Sequence, residues 1–99
     1  MRYRIEFSPE AEEHLQGLTA REQARVLDHV ERRLAHRPME RTRNRKRMRA
    51  NPLAPWELRI GDLRVYYDVQ ASPVPTVLIR AIGVKEHGQL RIAGKVVVI

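Results

Sequence analysis

A chain of 99 residues is sized for one domain with a modest but sufficient hydrophobic core. It has no cysteine, which excludes disulfides, thiolate zinc sites and cysteine nucleophiles, and it has no apolar run of bilayer-spanning length. Lys and Arg number 19 against 12 Asp and Glu, a formal charge of +7 in which arginine dominates, and this favours polyanionic partners: RNA, DNA or an acidic protein. The absence of cysteine and of a secretory-type segment fits a cytoplasmic protein.

In chain order, Tyr3, Ile5 and Phe7 alternate with Arg2, Arg4 and Glu6, which predicts a first strand. Ser8-Pro9 has the form of a helix start, Ser8 as N-cap and Pro9 at the first helical position. Glu10, Glu12 and Glu13 then sit where the positive end of the helix dipole favours them, and Gly17 ends the helix. Thr19 with Glu22 makes a capping box for a second helix. Its apolar residues, Ala20, Ala24, Leu27, Val30 and Leu34, widened by Val26, recur at helical spacing up to the stop before Pro38. The two helices should form an antiparallel hairpin covering one face of a sheet.

Residues 39–55 show no period and carry Arg41, Arg43, Arg45, Lys46, Arg47 and Arg49 with little acid between them. They predict a long, mobile, basic loop. Its functional reading is a phosphate-backbone grip with steep salt dependence. Its structural reading is a solvated loop or the dock of an acidic partner.

The next stretch, WELRIGDLRVYYDV, alternates twice around Gly61-Asp62: Trp56, Leu58 and Ile60, then Leu63, Val65, Tyr67 and Val69. A tight hairpin with one apolar face follows. Its polar face holds Glu57, Arg59, Arg64, Tyr66 and Asp68, groups able to bind an anion or move a proton. Residues 76–84 form a nearly continuous apolar run, as in a strand buried on both faces. Arg80 interrupts it, with Asp68 as the expected ion partner. After Lys85-Glu86-His87-Gly88 come two short β-prone pieces, 90–92 and 96–99. The last would be a hazardous edge unless it pairs with the sheet or with another chain.

In this order of elements, ELRIGDLRVYYDV followed by VLIRAIGVKEHG resembles the RelE/ParE superfamily of toxins from toxin–antitoxin modules, and YRIEFSPEAEEHLQGL resembles that family's first strand and helix. The resemblance implies a single α+β domain over residues 1–99, two N-terminal helices packed on a twisted antiparallel sheet in the order β-α-α-β-β-β. It implies a cognate antitoxin, through which the pair could bind operator DNA. It also implies an activity: first, cleavage of ribosome-bound mRNA, as in the RelE branch; as alternatives, poisoning of DNA gyrase, as in the ParE branch, or a catalytically degenerate basic binding module of the same fold.

Metal-free RNA cleavage needs a base for the 2′-hydroxyl, a cationic clamp for the phosphate and an acid for the leaving group. By resemblance, Arg64 stands at the phosphate-binding arginine, Lys85 at a second cation, Glu57 at an acidic group and His87 near a catalytic His or Tyr. Arg59 and Tyr66 could contact phosphate and stack a base. Each has a structural alternative: Glu57 could pair with Arg59 or Arg64, Tyr66 could pack across strands, and His87 could be an ordinary loop residue. Against the RelE pattern, a lysine pair is replaced by Pro55-Trp56-Glu57. Leu90 and Arg91 stand near the place of the C-terminal tyrosine, and Lys85 lacks an arginine's bidentate fork. His14, His29 and His36 show no metal-ligand spacing, and no cofactor is expected.

Overall fold

A computed structural model describes all 99 residues. The elements are β1 (Arg4–Phe7), α1 (Pro9–Gln16), α2 (Ala20–Leu34), β2 (Arg45–Arg47), β3 (Trp56–Ile60), β4 (Leu63–Gln70), β5 (Thr76–Glu86), β6 (Gln89–Ile92) and β7 (Lys95–Val97). The sheet runs β2-β3-β4-β5-β6-β7, with β1 also on β5. The expected domain class and helical hairpin are present. Two details differ. β1 pairs with β5 in parallel, whereas the other pairings are antiparallel. The basic loop contributes a strand, β2. Of the two fates expected for the C-terminal pieces, they take the first and pair with the chain's own sheet as β6 and β7.

Local chemistry sets the boundaries. The Ser8 hydroxyl accepts the Ala11 N–H at 3.1 Å, and Thr19 and Glu22 exchange their two capping hydrogen bonds at 2.9 and 3.1 Å. Gly61 at φ +57 begins the β3–β4 turn. His87-Gly88 and Ala93-Gly94, all at positive φ, make the two-residue turns that start and end β6.

The principal core lies between the helices and one sheet face. Val26, Val30 and Leu34 meet Leu58, Val65, Tyr67, Ile79 and Ile82 there. Burial of one such aliphatic side chain contributes about 1.5–3 kcal/mol. The buried row on α2 is the i, i+4, i+8 set from Val26, so Leu27, expected inside, is 47% exposed. The opposite sheet face carries a smaller core of Ala54, Tyr66, Ala81, Leu90 and Ile92, roofed by Met48 and Leu53 from the basic loop. That loop is therefore packed. The Asn51 amide bonds Arg49 and Ala54 carbonyls and the Leu53 and Ala54 N–H groups, and Met48 N–H donates to Pro55 O at 2.7 Å. No helix is long and apolar enough to cross a membrane.

β5 is bordered by β1 as far as Ile79 and by β6 only from Val84. In the gap, α1 supplies the partners. Ser8 N–H and hydroxyl donate to the carbonyls of Ile79 and Arg80, at 2.9 and 3.3 Å, and Ile82 N–H donates to His14 Nδ1 at 3.2 Å. His14 must be unprotonated at Nδ1 to accept, and burial holds its pKa below the ordinary 6.5. Between the lowered folded value and 6.5 the unfolded chain binds more protons. Stability from His14 is therefore complete above 6.5 and is lost as pH falls through that window. His29 acts in the same direction through burial and the neighbouring Arg33 and Arg32 charges. His14→Gln, which keeps an acceptor without the titration, is expected to flatten the loss of melting temperature between neutral and mildly acid pH and to leave His29's share.

Candidate functional site

Strand register builds the polar face row by row. Lys46, Glu57, Tyr66 and Ala81 are successive cross-strand partners from β2 to β5, and Arg59, Arg64 and Gly83 form the next row. Lys85 follows on β5, where its N–H donates to Asp62 O at 2.7 Å. Glu57 is the only buried charged residue, 5% exposed. Its Oε1 lies 3.4 Å from Arg59 Nε and 3.9 Å from Lys46 Nζ. A cleft of about 320 Å³ is lined by Lys46, Glu57, Tyr66 and Lys85, with Leu90 and Val97 closing it from β6 and β7. One carboxylate and two lysines thus share one recess, and that arrangement can accept a proton and hold an anion.

Arg59 and Arg64 are directly opposite on neighbouring strands. Like charges in that relation destabilise a sheet, so the pair is more stable with an anion over it. Arg64 Nη1 is turned onto the hairpin, donating to Gly61 O at 2.7 Å and Leu63 O at 2.9 Å. Its remaining donors are uncommitted, and its β5 neighbour, Gly83, has no side chain to cover them.

Other expected residues are placed differently. Tyr66 is 1% exposed, packed in the smaller core, and cannot offer a ring face to a base. Burial and the Glu57 charge push its hydroxyl well above the usual pKa, so it remains protonated. His87 is exposed in the β5–β6 turn at φ +51 and does not line the cleft. Arg45 lies on the helix side of β2, where Nη1 donates to Arg33 O at 2.8 Å and Arg37 O at 2.9 Å and so satisfies carbonyls at the end of α2. Arg45→Met is expected to cost about 1–2 kcal/mol in denaturant unfolding and to leave the salt dependence of polyanion binding unchanged. The reverse pattern would put Arg45 among the cations of the second sheet face.

Arg47 stacks its guanidinium 5.8 Å from the Trp56 ring centroid. Arg41, Arg43 and Arg49 are exposed and make no ion pair. Arg80 does not reach Asp68, whose Oδ1 accepts its own neighbour Val69 N–H at 2.8 Å. Tyr66 pairs with Ala81 and Tyr67 with Ile79, so Arg80 is the extra residue of a β-bulge and is exposed. A larger recess, about 560 Å³, lies between α1 and β5–β6 with Glu13, Glu22 and Glu86 on its walls. Those carboxylates repel a polyanion, so the smaller cleft is the better site for one despite its size.

The architecture defines an α+β domain, two helices on one face of a curled sheet and a predominantly basic second face. Solved structures have the same fold. The RelBE2 toxin–antitoxin complex from Mycobacterium tuberculosis contains a chain that superposes with a TM-score of 0.67 at 23% identity, over 83% of this chain and 96% of that one. The archaeal RelE–RelB complex from Pyrococcus horikoshii OT3 contains one with a TM-score of 0.59 at 24% identity, over 81% and 94%. No protein-family profile matches the sequence, and no curated protein matches it. At these identities the likeness establishes the fold, which is the one the sequence resemblance implies.

Proposed function

We propose that this chain is the toxin of a toxin–antitoxin pair and acts as a metal-independent endoribonuclease on ribosome-bound mRNA. The observation that carries the reading is the buried Glu57 carboxylate held between Lys46 and Arg59 in the same cleft as Lys85. Glu57 takes the 2′-hydroxyl proton. Lys85 and Lys46 hold the scissile phosphate as charge develops on it, and Arg64 with Arg59 binds the adjoining phosphate. His87, exposed in the β5–β6 turn next to the cleft-lining Gly88, is the group left to donate to the departing 5′-oxygen. Arg41, Arg43 and Arg49 extend the cationic track. RelBE2 is a toxin–antitoxin complex and the archaeal RelE is likewise held in a complex with RelB, and by that likeness the partner here is an antitoxin chain. An acidic or amphipathic segment suits the +7 surface.

A second reading has its own observation. With Tyr66 buried and His87 outside the cleft, the site is poorer in stacking and acid groups than RNA cleavage uses. That favours a binding protein that does not cut, such as a DNA gyrase poison. Expression of the chain alone, with mapping of mRNA 5′ ends on ribosomes and a parallel supercoiling assay, tests both. New ends within translated frames with normal supercoiling are expected. Intact messages with trapped gyrase–DNA complexes would replace the nuclease reading by the second. His87→Asn, which also tolerates left-handed backbone, is expected to fold and to cleave at least about 100-fold more slowly. Unchanged cleavage would leave His87 a turn residue only.

A further inference from the structure

We propose that Arg80 and Arg49 form a separate phosphodiester subsite in the pocket between the 48–55 loop and the β5 bulge, outside the cleft that holds Glu57. The pocket measures about 390 Å³, and Arg47, Arg49 and Arg80 line it with no acid among its walls. That volume is within the range of small-ligand sites, and Met48, Pro52 and Leu53 give it apolar walls beside the charge. A nucleotide combines the same two characters.

Both sides of the pocket are fixed before any ligand arrives. On one side Asn51 uses its whole amide to hold the loop, and Met48 N–H closes the loop on Pro55. On the other, Ser8 holds the bulge through the carbonyls of Ile79 and Arg80. A bulge re-aims one side chain out of a regular strand, and here the re-aimed residue is a cation. The guanidinium groups of Arg80 and Arg49 make no ion pair, and neither donates a side-chain hydrogen bond within the chain. Two uncommitted planar forks facing an acid-free recess match phosphate oxygens better than the compact charge of lysine would. An arginine in an otherwise apolar strand run is costly unless it is solvated or used, and the bulge makes it available.

The inference rests on the second sheet face being an RNA surface, but not on cleavage. The test is binding of labelled oligouridylate and oligoadenylate to the purified chain, between about 50 and 200 mM salt, by wild type and Arg80→Gln. Loss of one single-strand phosphate contact is expected to lower the slope of log affinity against log salt by about 0.7, and to weaken binding about five- to tenfold at the low-salt end. The loss should be equal for both sequences, because a phosphate carries no base identity. Arg49→Gln/Arg80→Gln should lower the slope further. Arg80 is exposed and unpartnered, so Arg80→Gln should melt with the wild type. Unchanged slope and affinity in Arg80→Gln would overturn the subsite. So would a loss confined to one sequence, or a loss seen with oligoglutamate but not with RNA, which would reassign the pocket to an acidic protein segment. Ribosomal cleavage by the wild type is measured alongside. A normal slope in Arg80→Gln with wild-type cleavage present refutes only the subsite, and a reduced slope with cleavage absent refutes only the nuclease.

Discussion

Glu57→Gln is expected to lower cleavage of ribosome-bound mRNA by about 10²–10⁴-fold, the range for loss of a positioned general base. The amide is nearly isosteric, so the packing of this side chain beside Tyr66 survives. Lys46 and Arg59, the partners left behind, are about half exposed, with side-chain exposures of 53% and 49%. Water takes over their solvation, so the change in unfolding free energy should stay below about 1 kcal/mol. Rate loss without stability loss separates a base from a structural counter-ion. Primer extension on programmed ribosomes gives the rate, and a urea titration gives the stability. A Glu57→Gln protein that still cuts at the wild-type rate would make the carboxylate a counter-ion for its two cations and remove the chemistry from this cleft.

Gly83→Ala is expected to have the largest effect on folding among the glycines. A Cβ there would stand 2.7 Å from the Arg91 carbonyl oxygen and 2.9 Å from both the Leu90 and Ile92 side chains. The nearest atom is backbone, so relief requires β6 to move off β5. The cost should reach or exceed the about 1–3 kcal/mol usual for overpacking, and the cleft should lose its β6 wall. Gly17→Ala is the control: its nearest atoms are carbonyl oxygens at 3.5 and 3.7 Å and its φ is −75°. Equal midpoints for the two variants in chemical denaturation would mean that β6 is not seated on β5 as described.

Local signals in the chain were strong where the periodicity was clean. The caps at Ser8 and Thr19, the Gly61-Asp62 turn and the alternation of Trp56 through Val69 all have their structural counterparts. What composition hid was long-range. Arg45 looks like its basic neighbours, yet strand parity turns it to the helix side to cap α2, a fact fixed only by the pairing of Arg45 with Leu58. Arg80 looked like a buried charge in need of Asp68, because a bulge leaves no mark in a run of apolar residues. Tyr66 and Tyr67 are adjacent and chemically alike. The second core that buries Tyr66 is assembled from Ala54, Ala81, Leu90 and Ile92, residues distant in sequence. Of the candidate cluster, the side of the sheet was legible for Glu57, Arg59 and Arg64. The closure of the cleft by β6 and β7 was not.

Trp56 is the only tryptophan in the chain. It is 5% exposed, stacked on Tyr67 at 6.1 Å with 18° between the planes, and covered by the Arg47 guanidinium. The chain therefore carries one tryptophan fluorophore, selectively excited at the red edge of the absorption band, at the seam where the basic loop joins the sheet. Its emission should be blue-shifted in the folded protein and move red when β2 peels from β3, a local opening distinct from global unfolding. A polyanion that draws Arg47 away should alter its intensity without a red shift. Two events at one edge thus have separate optical signatures, readable in solution without a label.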